Sequence, residues 1–143
     1  MSFTHITSTE WAYAAGILDG EGSMRLRDYK RSRSGTEITV GNTDQPLITW
    51  LYQKFGGKTT IRESKTLPNA KPWYVWYLPA KCHTEFLTGV LPYLVIKSRI
   101  AQLMLELRQD PSFGNRHRQV TGEVAAKRDA YWEEHKSLSK LGR

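Results

Sequence analysis

Residues 14–24 read AAGILDGEGSM and connect a helical pattern to a strand pattern, so this stretch decides how the chain is organised. Upstream of it, Thr7 and Glu10 form a T-x-x-E capping box, in which the two side chains satisfy free N–H groups at a helix start. The spacing of apolar residues predicts a helix over about 8–19. The residues that would face the core are Trp11, Ala14, Ala15 and Leu18.

A second stripe of the same helix consists of very small residues, Ala12, Gly16 and Gly20. A glycine inside a helix costs about 0.5 to 1 kcal/mol relative to alanine. Such a cost is tolerated where another backbone must come close. The stripe therefore predicts a close contact between this helix and another backbone.

After Gly22 the pattern changes to an alternation of apolar and polar residues, which is typical of a strand with one buried face. A basic turn follows, and residues 36–41 repeat the alternation, so the two strands should form a hairpin. The predicted inward residues are Met24, Leu26, Ile38 and Val40, and the predicted outward residues are Ser23, Arg25, Arg27, Glu37 and Thr39.

The remaining chain supplies a second helix, a second pair of strands and further helices. Asp44 and Pro46 mark the start of the second helix, with Leu47, Leu51 and Phe55 as its apolar stripe, and Gly56 and Gly57 end it. The later predicted segments are strands at 58–64 and 73–78 and helices at 81–89, 93–109 (with Ile96, Ile100, Leu103 and Leu107 inward) and 119–135, with residues 137–143 frayed. This order predicts an α+β fold with a four-stranded antiparallel sheet covered on one face. We expect one domain over 1–143, with a core at about 8–109 and a helical extension at about 118–137.

Charge and composition narrow the class of partner. The chain has 143 residues and a formal charge of +7, with a pI near 9.6, so a phosphate polymer is the expected partner. Cys82 is the single cysteine, which excludes an internal disulfide and a multi-cysteine zinc site, and no apolar run is long enough to span a membrane. We expect an intracellular protein with no membrane role. The four histidines lack metal-ligand spacing, and we assign them surface or local structural roles.

The stretch AAGILDGEGSM resembles the signature of the LAGLIDADG homing endonucleases over the whole motif. Gly16, the acid Asp19, the small Gly20 and the second acid Glu21 stand at the motif positions, although the family most often has Asp where this chain has Glu21. The resemblance implies an α-β-β-α-β-β-α layout with a saddle-shaped sheet. It implies a site-specific homing endonuclease, an enzyme that acts in intron homing by making a double-strand break in a long, pseudo-palindromic DNA target. One motif copy in a short chain implies a homodimer, which acts in the compartment that holds its target: a bacterial or phage cytoplasm, or an organelle.

The resemblance also implies roles for individual residues. Glu21 and the Gly20 carbonyl would bind Mg²⁺, with Mn²⁺ as an alternative, Ca²⁺ supporting binding without cleavage, and no organic cofactor. Asp19 would end the helix and brace the turn. Lys97, in LPYLVIKSR, is similar to a basic residue that stabilises developing charge, and Arg99 is the fallback. Asn42, in VGNTDQPL, matches a polar position that orders water, or it is an ordinary turn residue.

In this architecture the sheet would lie in the major groove of double-stranded DNA, and outward residues would read the bases. The stripe Ala12, Gly16 and Gly20 would form the dimer interface. The expected DNA contacts are Arg25, Arg27, Tyr29, Lys30, Arg31, Arg33, Glu37, Thr39, Lys58, Thr60, Arg62, Ser64 and either Trp76 or Tyr77, with the loop lysines, including Lys65, at phosphates.

Two alternatives remain open. A non-catalytic nucleic-acid binder of the same fold, such as an intron RNA maturase or a transcriptional regulator, would need neither Glu21 nor Lys97. A generic basic RNA-binding α+β domain would need aromatic residues that stack on bases. Trp73, Tyr74, Trp76 and Tyr77 could supply them.

Overall fold

The chain alternates helices and strands in the predicted order. The computed structural model describes residues 2–27, 35–110 and 123–142. The elements are α1 (Ser8–Glu21), β1 (Gly22–Leu26), β2 (Thr36–Asn42), α2 (Gln45–Phe55), β3 (Lys58–Arg62), β4 (Trp73–Tyr77), α3 (His83–Val90), α4 (Ser98–Gln109) and α5 (Glu123–Lys140), with 3₁₀ turns at Ala80–Cys82 and Leu91–Tyr93. Within the described ranges, none of these helices has the length and apolarity needed to cross a membrane.

The four strands form one antiparallel sheet in the order β1-β2-β4-β3. Met24 is paired with Ile38, and Val40 with Trp76, so these residues share the face that the helices cover. The register fixes the other face, which we call the outer face. It carries Ser23, Arg25, Glu37, Thr39, Gly41, Lys58, Thr60, Arg62, Trp73, Val75 and Tyr77.

An aromatic cluster fills the core between the helices and the sheet. The Phe55 and Phe86 rings pack edge to face with centroids 4.9 Å apart, and Trp76 packs against both. Trp76 is 0% exposed, and its Nε1–H donates to the Gly56 carbonyl at 2.7 Å. The prediction that Trp76 contacts DNA is therefore wrong, because its ring lies on the covered face of the sheet.

The start of α1 confirms the predicted capping box, while its end differs from the prediction. The Thr7 N–H donates to Glu10 Oε1 at 3.1 Å, and the Glu10 N–H donates to Thr7 Oγ1 at 3.2 Å. The helix continues to Glu21, two residues beyond the predicted end at Asp19. Its last turn closes because the Gly22 N–H still bonds to the Leu18 carbonyl.

The last two helices start and end elsewhere than predicted. The helix predicted from Tyr93 begins at Ser98, and Ile96, a predicted core residue, is 47% exposed. The reason is that the Asp19 carboxylate accepts the N–H groups of residues 95–97, which therefore stay outside the helix. At the other end of the chain, residues 137–140 were predicted to fray and are helical, since Leu138 packs against the core. Val120 lies outside the described residues.

His83 forms the centre of a buried polar network. Its Nε2 faces the Leu78 carbonyl at 2.8 Å and must carry the proton, so Nδ1 accepts from the Thr36 hydroxyl, also at 2.8 Å. Arg108 donates to Thr36 Oγ1 at 3.0 Å and to the Ala80 carbonyl at 2.7 Å. The assignment of a local structural role to His83 is confirmed. His135 is also buried, stacked on Trp132, so a surface role for it is wrong.

We expect His83 to make folding stability depend on pH. Burial and the nearby Arg108 charge lower the pKa of His83 to about 4. A histidine in an unfolded chain titrates near pH 6.5, so between these values only the unfolded state takes up the proton. Stability should therefore fall by about 3 kcal/mol as the pH drops from 7 to 4. Urea unfolding of wild type and His83→Gln at both pH values measures this. An equal loss in the two proteins would contradict it.

Candidate functional site

Helix α1 ends in an exposed acid next to an exposed strip of small residues. Ala14, Ala15, Ile17 and Leu18 are buried against the core, whereas Ala12, Gly16, Gly20 and Glu21 are exposed. A methyl group added at Gly16 or Gly20 would meet no atom of the described part of the chain within 4 Å. The subunit's own packing therefore does not require these glycines. Something other than the described chain must explain why this face is so bare.

Asp19 ties the end of α1 to the segment before α4. Its carboxylate accepts the N–H groups of Val95 at 2.8 Å, Ile96 at 3.2 Å and Lys97 at 3.0 Å. These are donors that no helical carbonyl satisfies at a helix start. The prediction that Asp19 ends α1 is wrong, but the carboxylate braces the junction, and it sets the start of α4 at Ser98.

The Lys97 side chain binds the end of α1 in return. Its ammonium donates to the Leu18 carbonyl at 2.6 Å and to the Gly22 carbonyl at 2.5 Å, the carbonyls on either side of Glu21 in the chain. Burial lowers the pKa of Lys97, and the negative charges of Asp19 and Glu21 oppose that shift. A half-buried cation thus stands beside the acidic end of α1, where the helix dipole also favours positive charge.

Asn42 and Arg99, two further predicted positions, have other partners. The Asn42 Oδ1 accepts the Asp44 N–H at 2.8 Å, which forms an Asx turn before α2. Arg99 donates to Glu134 Oε1 at 2.5 Å and Oε2 at 3.0 Å, joining α4 to α5, and these bonds raise its pKa. Arg99, the fallback for Lys97, thus has its guanidinium bound to α5 and not to the end of α1.

The outer face brings most of the predicted DNA contacts together on one surface. The residues that it collects are Arg25, Glu37, Thr39, Lys58, Thr60 and Arg62, with Arg27 and Ser64 just beyond the strand ends. Tyr29, Lys30, Arg31 and Arg33 lie outside the described residues. Of the four aromatics considered for base stacking, only Trp73 and Tyr77 are on this face, since Tyr74 and Trp76 pack toward the helices.

Glu37 holds two arginines at once. Oε1 accepts from Arg25 Nε at 2.7 Å and Nη2 at 2.6 Å, while Oε2 accepts from Arg27 Nε at 3.0 Å and Nη2 at 2.6 Å. The Glu37 side chain is 15% exposed, against 57% and 45% for the two arginines. Burial would raise the pKa of Glu37, but the arginines outweigh it and hold that pKa below its usual value.

At the other edge of the sheet, Arg62 lies across the outer face. Its Nη2 donates to the Tyr77 hydroxyl at 3.1 Å, over the paired residues Thr60 and Val75, and Val75 is buried. Trp73 covers Gly41, where a methyl group would lie 2.6 Å from the indole Nε1. Sequence reasoning missed Val75 as part of this surface, named Trp73 only as a possible stacking residue of an RNA-binding domain, and left Tyr77 as an alternative to Trp76.

The acidic end of α1 offers oxygen donors to a metal but not a complete site. Within residues 2–27, 35–110 and 123–142, no three His, Cys, Asp or Glu side chains lie together as metal ligands. Glu21 contributes one exposed carboxylate, and the Gly20 carbonyl belongs to the last turn, whose carbonyls lack helical partners. These are hard oxygen donors, which suit Mg²⁺ or Ca²⁺.

Comparisons with known proteins identify the fold. No protein-family model and no curated protein matches the chain. The homing endonuclease I-CvuI in complex with its target and calcium is 17% identical over 92% of this chain and 96% of its own, with a TM-score of 0.50. The same enzyme with an I-CreI target and magnesium, its DNA not cleaved, is 18% identical over 94% and 96%, with a TM-score of 0.51. The archaeal intron-encoded homing endonuclease I-Vdi141I, complexed with DNA, is 17% identical over 69% and 66%, with a TM-score of 0.51. The chain therefore has the LAGLIDADG homing endonuclease fold.

Proposed function

We propose that the protein is a homodimeric homing endonuclease that cuts both strands of a long, pseudo-palindromic DNA site with the help of divalent metal. The observation that carries the proposal is the bare exposed strip on α1 that ends at the exposed Glu21. In this fold the strip gives a second copy a surface for close approach. Residues 1–143 would form one domain, because the C-terminal extension α5 contacts both α4 and β1.

The strip has a direct electrostatic consequence in a symmetric pair. Two α1 helices that meet at Gly16 and Gly20 would bring both Glu21 carboxylates close to the two-fold axis. At an effective dielectric of about 20 and a separation of roughly 6 Å, such charges repel by about 3 kcal/mol. That repulsion favours uptake of divalent cations between the subunits.

Three residues would divide the chemistry. Glu21 and the Gly20 carbonyl would hold Mg²⁺, with Mn²⁺ as an alternative and Ca²⁺ supporting binding alone. When bound, the metal supplies activated water and stabilises charge on the attacking and leaving oxygens. Lys97 keeps a fixed cation at the same helix end, where it would favour negative charge that develops on the phosphate. The Asn42 amide would order water through the part of its carboxamide that the Asx turn does not use.

The outer face would supply recognition. A two-stranded ribbon fits the major groove, where each base pair presents its own pattern of donors and acceptors. Arg25, Arg27, Thr39 and Arg62 would read bases, and lysines such as Lys58 would contact phosphates. Thr60, whose hydroxyl is buried beneath Arg62, would read a base only where Arg62 turns away toward the DNA. Two copies of a +7 chain carry +14, so binding should weaken steeply as salt rises.

The proposal predicts discrete double-strand breaks. We expect the protein with Mg²⁺ or Mn²⁺ to cut a small set of sequences from a randomised duplex pool, with one cut on each strand about the centre of a near-palindrome. With Ca²⁺ the same sequences should be retained uncut. Sequencing the cut ends and the retained duplexes measures both. Enrichment of bound sequences without cut ends in any metal would refute the nuclease.

One observation favours the non-catalytic alternative and makes that control necessary. Lys97 and Asn42 both have structural partners, the α1 carbonyls and the Asp44 N–H, so neither needs catalysis to explain it. A DNA-binding regulator of this fold could keep both residues. It would have no use for Glu21, whose exposed carboxylate on the bare strip is the reason we favour the nuclease.

A further inference from the structure

The Glu37 carboxylate is at first sight misplaced. A surface that binds DNA through positive charge is weakened by a carboxylate among its cations, because the carboxylate repels phosphates and cancels one neighbouring cation. Yet Glu37 is mostly covered, and each of its oxygens takes two N–H groups from one arginine. The two guanidinium groups are thereby fixed relative to each other.

We propose that Glu37 is a positioning residue that presents Arg25 and Arg27 as a unit for two guanines, separated by two base-pair steps in double-stranded DNA. This inference rests on the proposed function, since it requires β1 to run along the major groove. It assigns Glu37 a role different from the direct base contact expected from the sequence.

The spacing of the two arginines matches the spacing of stacked bases. Residues two apart on a strand are about 6.6 Å apart along it, since a strand rises roughly 3.3 Å per residue. Stacked base pairs rise about 3.4 Å, so two steps cover about 6.8 Å. Arg25 and Arg27 occupy alternate positions at the end of β1 and point to the same side. Neighbouring reading positions along β1 thus fall two base pairs apart.

The way in which Glu37 holds Arg25 also leaves that arginine able to read. A guanidinium has five N–H groups, and the side-on pairing through Nε and Nη2 uses one edge of the fork. A bidentate contact to guanine O6 and N7 needs only two N–H groups, and the end of the fork, Nη1 with the second N–H of Nη2, provides them. With 57% of its side chain exposed, Arg25 is held at its base and open at its tip.

Fixing the arginines in the free protein favours discrimination over general affinity. A long arginine side chain loses rotamer freedom when it docks, and an arginine that is already ordered loses less. An ordered fork is also less able to swing aside to the nearest phosphate. The carboxylate should therefore weaken binding to unrelated DNA while it strengthens the preference for guanine.

The test compares wild type, Glu37→Gln and a control of equal charge change, Glu63→Gln, which removes an exposed carboxylate just beyond β3. Each protein selects from a randomised duplex pool in Ca²⁺, and its affinity is then measured for a selected duplex and an unrelated one over a range of salt. Wild type should select two guanines two steps apart in each half-site. Glu37→Gln should bind the unrelated duplex more tightly and lose the guanine preference about tenfold. Glu63→Gln should gain the same unspecific affinity with the preference intact.

A second variant keeps the test decisive if Glu37→Gln does not fold, which thermal unfolding will show. Arg25→Lys retains the charge but not the fork, and it should erase one of the two guanines only. If Glu37→Gln selects the same motif with the same strength, or if Arg25→Lys changes neither position, the inference is overturned and the proposed function stands. If wild type selects no motif at all, both are overturned.

Discussion

Replacing Glu21 by Gln should abolish DNA cleavage, by roughly 10³-fold or more, while binding to the selected duplex in Ca²⁺ changes little. The amide has nearly the shape of the carboxylate but no charge, so it cannot hold a divalent metal beside the scissile phosphates. Binding survives because the outer face is built from other residues, and Glu21 lies at the end of α1 with its side chain exposed. Single-turnover cleavage and equilibrium binding measure the two effects separately.

Glu21→Asp is the matched control. It keeps the carboxylate and removes one methylene, and Asp is the usual residue at this position of the motif that residues 14–24 resemble. It should retain cleavage within about tenfold of wild type. Equal loss of binding and cleavage in Glu21→Gln would show that the residue supports the fold or the dimer instead of the metal.

Gly16→Leu should give a folded subunit that no longer pairs. No atom of the described chain would touch a first side-chain carbon at Gly16, and leucine favours a helix over glycine, so unfolding stability should change by no more than about 1 kcal/mol. In the proposed dimer, two leucines would stand where the two α1 backbones would meet, and we expect association to weaken roughly 100-fold or more. Sedimentation equilibrium gives the mass, and thermal unfolding gives the stability.

A leucine at another exposed position distinguishes a specific effect on dimer association from nonspecific hydrophobic association. Gln102→Leu places the same side chain at an exposed position of α4, away from the small-residue strip. It should leave the mass of the native particle unchanged. A Gly16→Leu protein that still sediments as a dimer would mean that the strip is not the interface, and the pairing of the Glu21 carboxylates would lose its basis.

Local patterns were enough to predict the hairpin and the bare helix face. The alternation of Met24 and Leu26 with arginines decides which face of β1 is buried, because a one-residue slip would exchange the two faces. The strip at Gly16 and Gly20 can be recognised in the sequence because glycine inside a helix lowers its stability, so two glycines on one helix face indicate a specific role. Both depend on neighbours close in sequence, which a sequence displays directly.

The run WYVWYL at 73–78 shows where such reasoning stops. Every residue in it is apolar or aromatic, so no alternation reveals which side faces the helices. The pairing of Val40 with Trp76 decides it, and that contact joins residues far apart in the chain. The sequence therefore leaves Trp76 and Tyr77 as alternatives, of which only Tyr77 lies on the outer face, and it gives no reason to place Val75 there.

The start of α4 was missed for a related reason. Ile96 fits the apolar spacing of a helix, yet Asp19 captures the N–H groups of 95–97 and holds them outside it. An acid more than seventy residues away cannot be matched to that segment from spacing. The same holds for Asn42, whose position beside the motif was predicted but whose bond to the Asp44 N–H was only one of two alternatives.

Asp19 and Lys97 hold the end of α1, and with it Glu21, through five hydrogen bonds to backbone groups. The Asp19 side chain reaches from α1 to three amides, and the Lys97 side chain reaches from the residue before α4 to two carbonyls of the α1 end, so displacing Glu21 would require several bonds to break together. None of the five involves a side chain of the outer face. If the proposed function holds, the bonds that fix Glu21 are therefore separate from the side chains that would read DNA, and substitutions on the outer face that change the target sequence should leave the position of Glu21 unchanged.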